Sequence, residues 1–369
     1  MGRAAWRILS AAAITTLTTA PAVAARWSDG DVRELRAVAA SVADEGLDPA
    51  DYPADALADP AAIGTPAFDA RADALALALA HDFLEGHRNP GPDWAITRGA
   101  IDYRGWLDDV LASHSVRASF RRLLPTSIGY AALRRALADC ARDCARLRVN
   151  LDRWRALPRS FGTRYLWVNI PAFRLDLIED GRVIASHRIV VGKPGTRTPV
   201  FKAAVTGVTV NPWWNVPASI VAESVGALVR TNPAEAARRG YVATTDSAGK
   251  LAVRQKPGPQ NALGRIKLEM PNPYSVFIHD TPSRGLFDQD RRALSHGCIR
   301  TEDPQALAAM LLQPGQNQQV GLLLATGATQ TLRIAPPIPV YVVYFTAEPD
   351  PDANGALAVH EDIYRRDSR

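Results

Sequence analysis

The sequence predicts an α+β protein, with a helical N-terminal domain followed by a mostly β domain that carries a long, lid-like insertion. Three observations predict it. Residues 27 to about 157 are rich in Ala, Leu, Arg and Asp, with apolar residues at i, i+3, i+4 spacing. From Tyr165 onward the pattern changes to short β-rich runs. Residues 217–265 then interrupt those runs with prolines, glycines and mixed charge. The chain has 369 residues, room for two to three domains. Hydrophobic residues make up 47% and charged residues 22%, which excludes wholesale disorder.

The N-terminus carries Arg3 and Arg7, then an apolar stretch from Ile8 to Val23, then Ala22-Val23-Ala24 as a small-x-small cleavage site. This is the pattern of a secretory signal peptide over residues 1–25. Cleavage removes two basic residues and no acidic one, taking the formal charge from +5 to +3. A mildly basic exported protein suits an acidic polymer. No concentrated Lys/Arg stripe of nucleic-acid type is present. No uninterrupted apolar run reaches the roughly 20 residues of a bilayer span, so no stable membrane span is expected after cleavage.

In the helical region Val32, Leu35, Val38 and Val42 form one apolar stripe. Gly46, Pro49, Pro53, Pro60, Pro90 and Pro92 punctuate it into several helices. A charged helix from Ile128 to Trp154 is expected to close the region. Cys140 and Cys144 lie four apart on that helix; a disulfide there needs local distortion, and packing of two small apolar side chains is the favoured reading. In the β domain, Asp180-Gly181 signals a type I′ hairpin. Further strands are expected at Val205–Val210, Ser275–Ile278, Val320–Leu324 and Val340–Phe345. Within the insertion, Ser219–Leu228 and Pro233–Arg239 read as helical.

The chemistry concentrates in Phe277-Ile278-His279-Asp280-Thr281 and Ser295-His296-Gly297-Cys298-Ile299-Arg300. His279 follows an apolar run and belongs at a strand end. Asp303-Pro304 is an N-cap followed by an N1 proline, so Cys298 lies in a glycine turn just ahead of a helix. A thiol is mostly protonated at neutral pH, and a neighbouring imidazole can take its proton and return it to a leaving amine. The N–H groups of Gly297 and Cys298 are candidates for an oxyanion hole. A metal site on His279, His296, Cys298 and Asp280 is the competing reading, without the paired spacing usual for structural zinc; no metal and no cofactor are expected. His296 is expected to shape the turn.

His279 with Cys298 nineteen residues later inside Ser-His-Gly-Cys-Ile-Arg resembles the signature of L,D-transpeptidases with a YkuD-type domain. Tyr165–Gly192, Asn211–Pro217, Gln255–Gly264, His279–Pro282 and Pro337–Asp367 with Asp362-Ile363-Tyr364 resemble the YcbB-like branch. Leu47-Asp48-Pro49 resembles that branch's scaffold region. The resemblance implies a helical scaffold domain over 26–160, a catalytic domain over 161–335 with the 217–265 lid, and a C-terminal segment 336–369 packing on either. It implies a periplasmic enzyme of peptidoglycan. Cys298 would attack the amide between the position-3 diamino acid and D-Ala4 of a tetrapeptide stem and pass the acyl group to an acceptor amine as a 3–3 cross-link. His279 would be the base, oriented by a main-chain carbonyl, which leaves Asp280 a structural role. Stem peptides would be the partners, with cell-wall synthases as candidate associates.

Arg300 is a candidate for holding the catalytic loop or a substrate carboxylate. Trp214 and Asn215, with Trp213, are candidates for lining the cleft, or else core aromatics in the case of the tryptophans. Phe277 stands where some relatives carry Tyr, so a hydroxyl is missing there. No peptidoglycan-binding module is visible between residues 27 and 160. Water as acceptor would make the protein an L,D-carboxypeptidase or amidase. A protein lysine would make it an anchoring or detaching enzyme. An idle wall-binding scaffold is the reading from another class, and the intact His279/Cys298 pair argues against it.

Overall fold

The computed structural model describes residues 25–87, 94–142, 144–245, 249, 251–350 and 356–367. The expected signal peptide lies almost wholly outside them. Among the described residues no helix is long and apolar enough to cross a membrane.

The scaffold is built from α1 (Asp29–Ala40), α2 (Pro66–Glu85), α3 (Tyr103–Ala112), α4 (Val116–Leu123), α5 (Ile128–Ala138) and α6 (Cys144–Arg155). Local signals start the helices where the chain needs them. Ser28 and Asp31 form a capping box on α1. Thr65 caps α2 ahead of Pro66. The stripe Val32, Leu35, Val38 and Val42 is buried against Phe68, Leu75 and Leu79 of α2, giving the scaffold its own core.

The helix expected over Ile128–Trp154 is broken: α5 ends at Ala138, α6 begins at Cys144, and Cys140 is disulfide-bonded to Cys144. A disulfide needs Cβ atoms within about 4.5 Å, whereas i,i+4 neighbours on a helix sit about 5–6 Å apart. The bond and an unbroken helix are incompatible, and the helix yields.

The β-rich half is built on a closed sheet, with a separate small sheet in the insertion. Its strands are β1 (Trp94–Ala95), β2 (Arg164–Asn169), β3 (Arg174–Glu179), β4 (Arg182–Gly192), β5 (Val200–Val210), β6 (Trp214–Asn215), β7 (Tyr241–Thr245), β8 (Leu251–Gln255), β9 (Ile266–Glu269), β10 (Ile278–His279), β11 (Ala293–Ser295), β12 (Ile299–Thr301) and β13 (Gln330–Val343). β5, β13, β2, β3, β4, β12, β10 and β9 pair in that order, and β9 returns to β5. Closure removes free edges. The β3–β4 hairpin turns at Asp180 and Gly181 with φ of +49° and +75°, as the I′ signal predicts. Helices α7 (Ala218–Ile220), α8 (Gly226–Thr231) and α9 (Pro233–Arg238) belong to the insertion, and α10 (Pro304–Leu311) and α11 (Pro314–Thr326) pack on the sheet.

Three further expectations are corrected. Val320–Leu324 lies in α11, started by Pro314 and ended by Gly327 at φ +73°, with Val320 and Leu323 inward at helical spacing. A short apolar run does not distinguish helix from strand. Residue 335 falls inside β13, which pairs with both β2 and β5, so that boundary cuts a central strand. The insertion has a three-stranded sheet of β6, β8 and β7 over its own small core of Val216, Val221, Val225 and Val253.

The two halves meet at an aromatic seam. Trp154 of α6 lies 5.6 Å from Trp167 and 4.9 Å from Phe345, ring centre to ring centre. Gly129 admits it, since a Cβ there would come within 2.4 Å of the indole. Arg159 donates to the carbonyls of Phe83, Leu84 and Leu123, capping the ends of α2 and α4. After β13 the chain forms a short hairpin, β14 (Ala347–Pro349) with β15 (Leu357–Val359), and its last residues pack on both halves.

Candidate active site

His279 and Cys298 come together through strand register. β10 runs between β9 and β12, with Ile278 opposite Leu268 and Ile299, and all three are buried in the core. Alternation then puts His279, Arg300 and Lys267 on the other face, with Phe277 and Cys298 one step away on that same face. Imidazole and thiol are diagonal neighbours on adjacent parallel strands.

His279 is 4% exposed, and its Nδ1 is 2.5 Å from the main-chain oxygen of Asp280. A carbonyl only accepts, so Nδ1 carries the proton and Nε2 keeps its lone pair. Burial, with Arg300 and Lys267 adding to it, pushes the imidazole down to about 3, so it is neutral at rest. The Asp280 carboxylate accepts from the main-chain N–H of Thr281 and Arg265 and from Arg284, which makes it a brace of the strand end. Gly264 is required beside it, because a Cβ would come within 2.3 Å of that carboxylate.

Cys298 is the free cysteine and is half-buried. Burial raises its thiol, while the Phe277 main chain and then Arg300 and Lys267 oppose that rise. Its Sγ lies 3.8 Å from the Ser275 carbonyl. Gly297 turns the chain at φ +115°, a conformation that favours glycine. Ser295 Oγ donates to the Cys298 carbonyl at 2.6 Å and accepts from the Gly297 N–H at 3.1 Å. The Gly297 N–H is therefore occupied, contrary to the two-donor oxyanion hole expected; the Cys298 N–H makes no hydrogen bond among the described residues.

The remaining candidates divide. Arg300 shares the face of His279, its buried Nε without a hydrogen-bond partner among the described residues, and its charge favours the Cys298 thiolate. Phe277 lies under the Lys267 ammonium at 4.0 Å. Among the described residues the His296 ring makes no hydrogen bond within the turn, and its Nε2 meets Glu223 of the insertion at 2.9 Å. Lys193 approaches the same carboxylate at 3.7 Å. Trp214 packs on the insertion's core, and Asn215 pairs with Arg254 in its sheet. Trp213 is stacked under Arg254. Among the described residues no three His, Cys, Asp or Glu side chains converge to hold a metal.

Lys267 escaped the sequence reading. The alternation of Ile266 and Leu268 against Lys267 and Glu269 places it on the polar face of a strand, but its position opposite His279 depends on register.

Residues 163–340 match the model of the YkuD L,D-transpeptidase catalytic domain, and residues 22–137 match that of the Scaffold domain. The chain carries an L,D-transpeptidase catalytic domain. It is 32% identical over 241 residues to a Haemophilus influenzae protein named "Putative L,D-transpeptidase", covering 60% of this chain and 48% of that protein, about half its length. It is similar to an L,D-transpeptidase from Mycobacterium smegmatis, at 13% identity and TM-score 0.26, over 49% of this chain and 58% of that one. L,D-transpeptidase 3 from Mycobacterium tuberculosis matches at 15% identity and TM-score 0.27, over 49% and 61%. His279, Cys298, Lys267 and Arg300 all lie within the L,D-transpeptidase domain.

Proposed function

We propose that this protein is a peptidoglycan L,D-transpeptidase of the periplasm, in the YcbB-like branch. The observation that carries the mechanism is the shared face of His279 and Cys298, with Nδ1 tied to the Asp280 carbonyl so that Nε2 is the basic atom. Nε2 takes the thiol proton, and the thiolate attacks the carbonyl carbon at the L-centre of the position-3 diamino acid. The developing oxyanion is met by the Cys298 N–H. His279 returns the proton to the departing D-Ala amine, leaving a thioester. An acceptor stem amine attacks it, gives its proton to Nε2, and expels the thiolate as the 3–3 cross-link forms. The disulfide in the scaffold supports an oxidising compartment.

Both groups are neutral at rest, so the proton passes from the thiol to Nε2 as the sulfur attacks, and the cations Lys267 and Arg300 stabilise the sulfur's charge. The test is incubation with tetrapeptide muropeptides and mass analysis of products. Cross-linked dimers that have lost D-Ala are expected, and tripeptide monomers alone would reassign the protein as a hydrolase. Cys298→Ala is expected to abolish turnover; full activity in that variant sinks the mechanism. By the resemblance, a carbapenem is expected to leave its mass on the peptide bearing Cys298.

A further inference from the structure

The turn that carries Cys298 is held from behind by the loop 192–198 between β4 and β5. Lys193 N–H and Thr196 Oγ1 both donate to the Ser295 carbonyl, at 3.0 and 3.1 Å. Thr198 Oγ1 donates to the Gly297 carbonyl at 2.8 Å. Thr198 is wholly buried, so this bond meets no competition from solvent. The two ends of the loop are closed on each other by the Gly192 N–H, which donates to Thr198 Oγ1 at 2.9 Å. A Cβ at Gly192 would come within 2.2 Å of the Thr196 carbonyl, so only glycine permits the closure.

A residue from the far end of the chain completes that closure. The Tyr364 hydroxyl donates to the Gly192 carbonyl at 2.5 Å and accepts from the Thr198 N–H at 3.2 Å. Tyr364 is 1% exposed, and its hydroxyl is the partner the structure gives to both main-chain groups. Its ring stacks on Tyr344 and lies beneath the Arg197 guanidinium. Its own N–H donates to the Tyr344 hydroxyl at 2.8 Å, and that hydroxyl donates to Asp362 at 2.6 Å. Asp362 also accepts from the N–H groups of Arg366 and Asp367, fixing the last turn. Asp367 then pairs with Arg153 of α6 at 2.8 Å. A continuous set of contacts runs from the scaffold, through the C-terminal segment, to the back of the Gly297 turn.

We infer that Tyr364 is a positioning residue for Cys298, and that the C-terminal segment is a strap by which the scaffold fixes the nucleophile's turn. The inference rests on the reading of Cys298 as nucleophile. Tyr364 acts through Thr198 and Gly297 and sits behind the reactive face. Removing its hydroxyl leaves a buried carbonyl and a buried N–H without partners. The loop then shifts to satisfy them, and Thr198 carries the shift to Gly297.

The test compares Tyr364→Phe, Thr198→Val and Thr198→Ser in the full chain. Three quantities are read: the rate of Cys298 alkylation by iodoacetamide across pH, kcat and KM on tetrapeptide muropeptides, and the melting temperature. In Tyr364→Phe, kcat is expected to fall about tenfold with KM within twofold, and the alkylation profile to shift along the pH axis. Thr198→Val is expected to do the same, and Thr198→Ser to restore the native values. The Tyr364→Phe/Thr198→Val double variant is expected to be no worse than the poorer single one, because both break one chain of contacts.

Additive losses, or a folded Tyr364→Phe protein with native kcat and alkylation profile, overturn the proposal. Should Tyr364→Phe not fold, Asp367→Asn loosens the strap at its scaffold end; a lower kcat at unchanged KM supports the strap and a native kcat overturns it. Alkylation needs no turnover. A shifted profile in Tyr364→Phe with undiminished activity in Cys298→Ala would therefore retain the strap and reject the nucleophile.

Discussion

Lys267, His279 and Cys298 show how single side chains set this site and how far they can be read in advance. The thiol and the imidazole are legible because each stands in an unusual local string, and because their chemistry requires a partner. Lys267 is not, since nothing near it in sequence says that β9 lies beside β10 in that register. For Trp214 the sequence leaves two roles open, cleft lining or core aromatic, and the structure packs it on the insertion's core. The His279 environment has a consequence for stability. Its folded value of about 3 lies below the ordinary 6.5, so between those limits the unfolded chain binds a proton that the folded chain refuses. The stability of the protein is therefore expected to fall as the pH drops from about 6.5 toward 3, and to gain nothing from this group above about 7. His279→Gln is expected to flatten that slope, as measured by urea denaturation at pH 7 and pH 5. An unchanged slope would mean that the imidazole is not held neutral.

At the scale of elements, the hairpin at Asp180-Gly181 and α10 behind Asp303-Pro304 were legible because turn and cap chemistry is local. α11 was not, because five apolar-rich residues fit either period and the Pro314 and Gly327 signals lie outside them. The break between α5 and α6 was hidden because the helical pattern runs straight through it, and only the sulfur geometry forbids continuity. Closing so short a loop contributes about 2 kcal/mol in the chain-entropy account. The Cys140→Ser/Cys144→Ser variant is expected to lose about that much in urea denaturation, while keeping its muropeptide activity, since Cys298 is a separate thiol. Loss of activity at native stability would show that the bond acts on the site. The insertion touches the Cys298 turn through Glu223, with His296 and Lys193 on the other side, and it keeps its own core.

Over the whole molecule, two domains were legible from the change of period near residue 160, but their union was not. Phe345 is far along the chain from Trp154 and Trp167, and the three meet only in the folded seam. The chain's last residues cross that seam twice, at Asp367 on the scaffold and at Tyr364 on the loop behind Cys298. The arrangement has a mechanical side. Tension applied at the C-terminal end loads the Asp367 and Tyr364 contacts one after another, as in peeling. β13 lies between β2 and β5, and tension along it loads two ladders of hydrogen bonds at once. The end of the chain is therefore expected to let go first, at low force, as a short extension step in an optical trap before the main rupture. A single rupture with no earlier step would contradict this. Pulled at its C-terminal end, the protein would slacken the turn around its thiol while its barrel stayed folded.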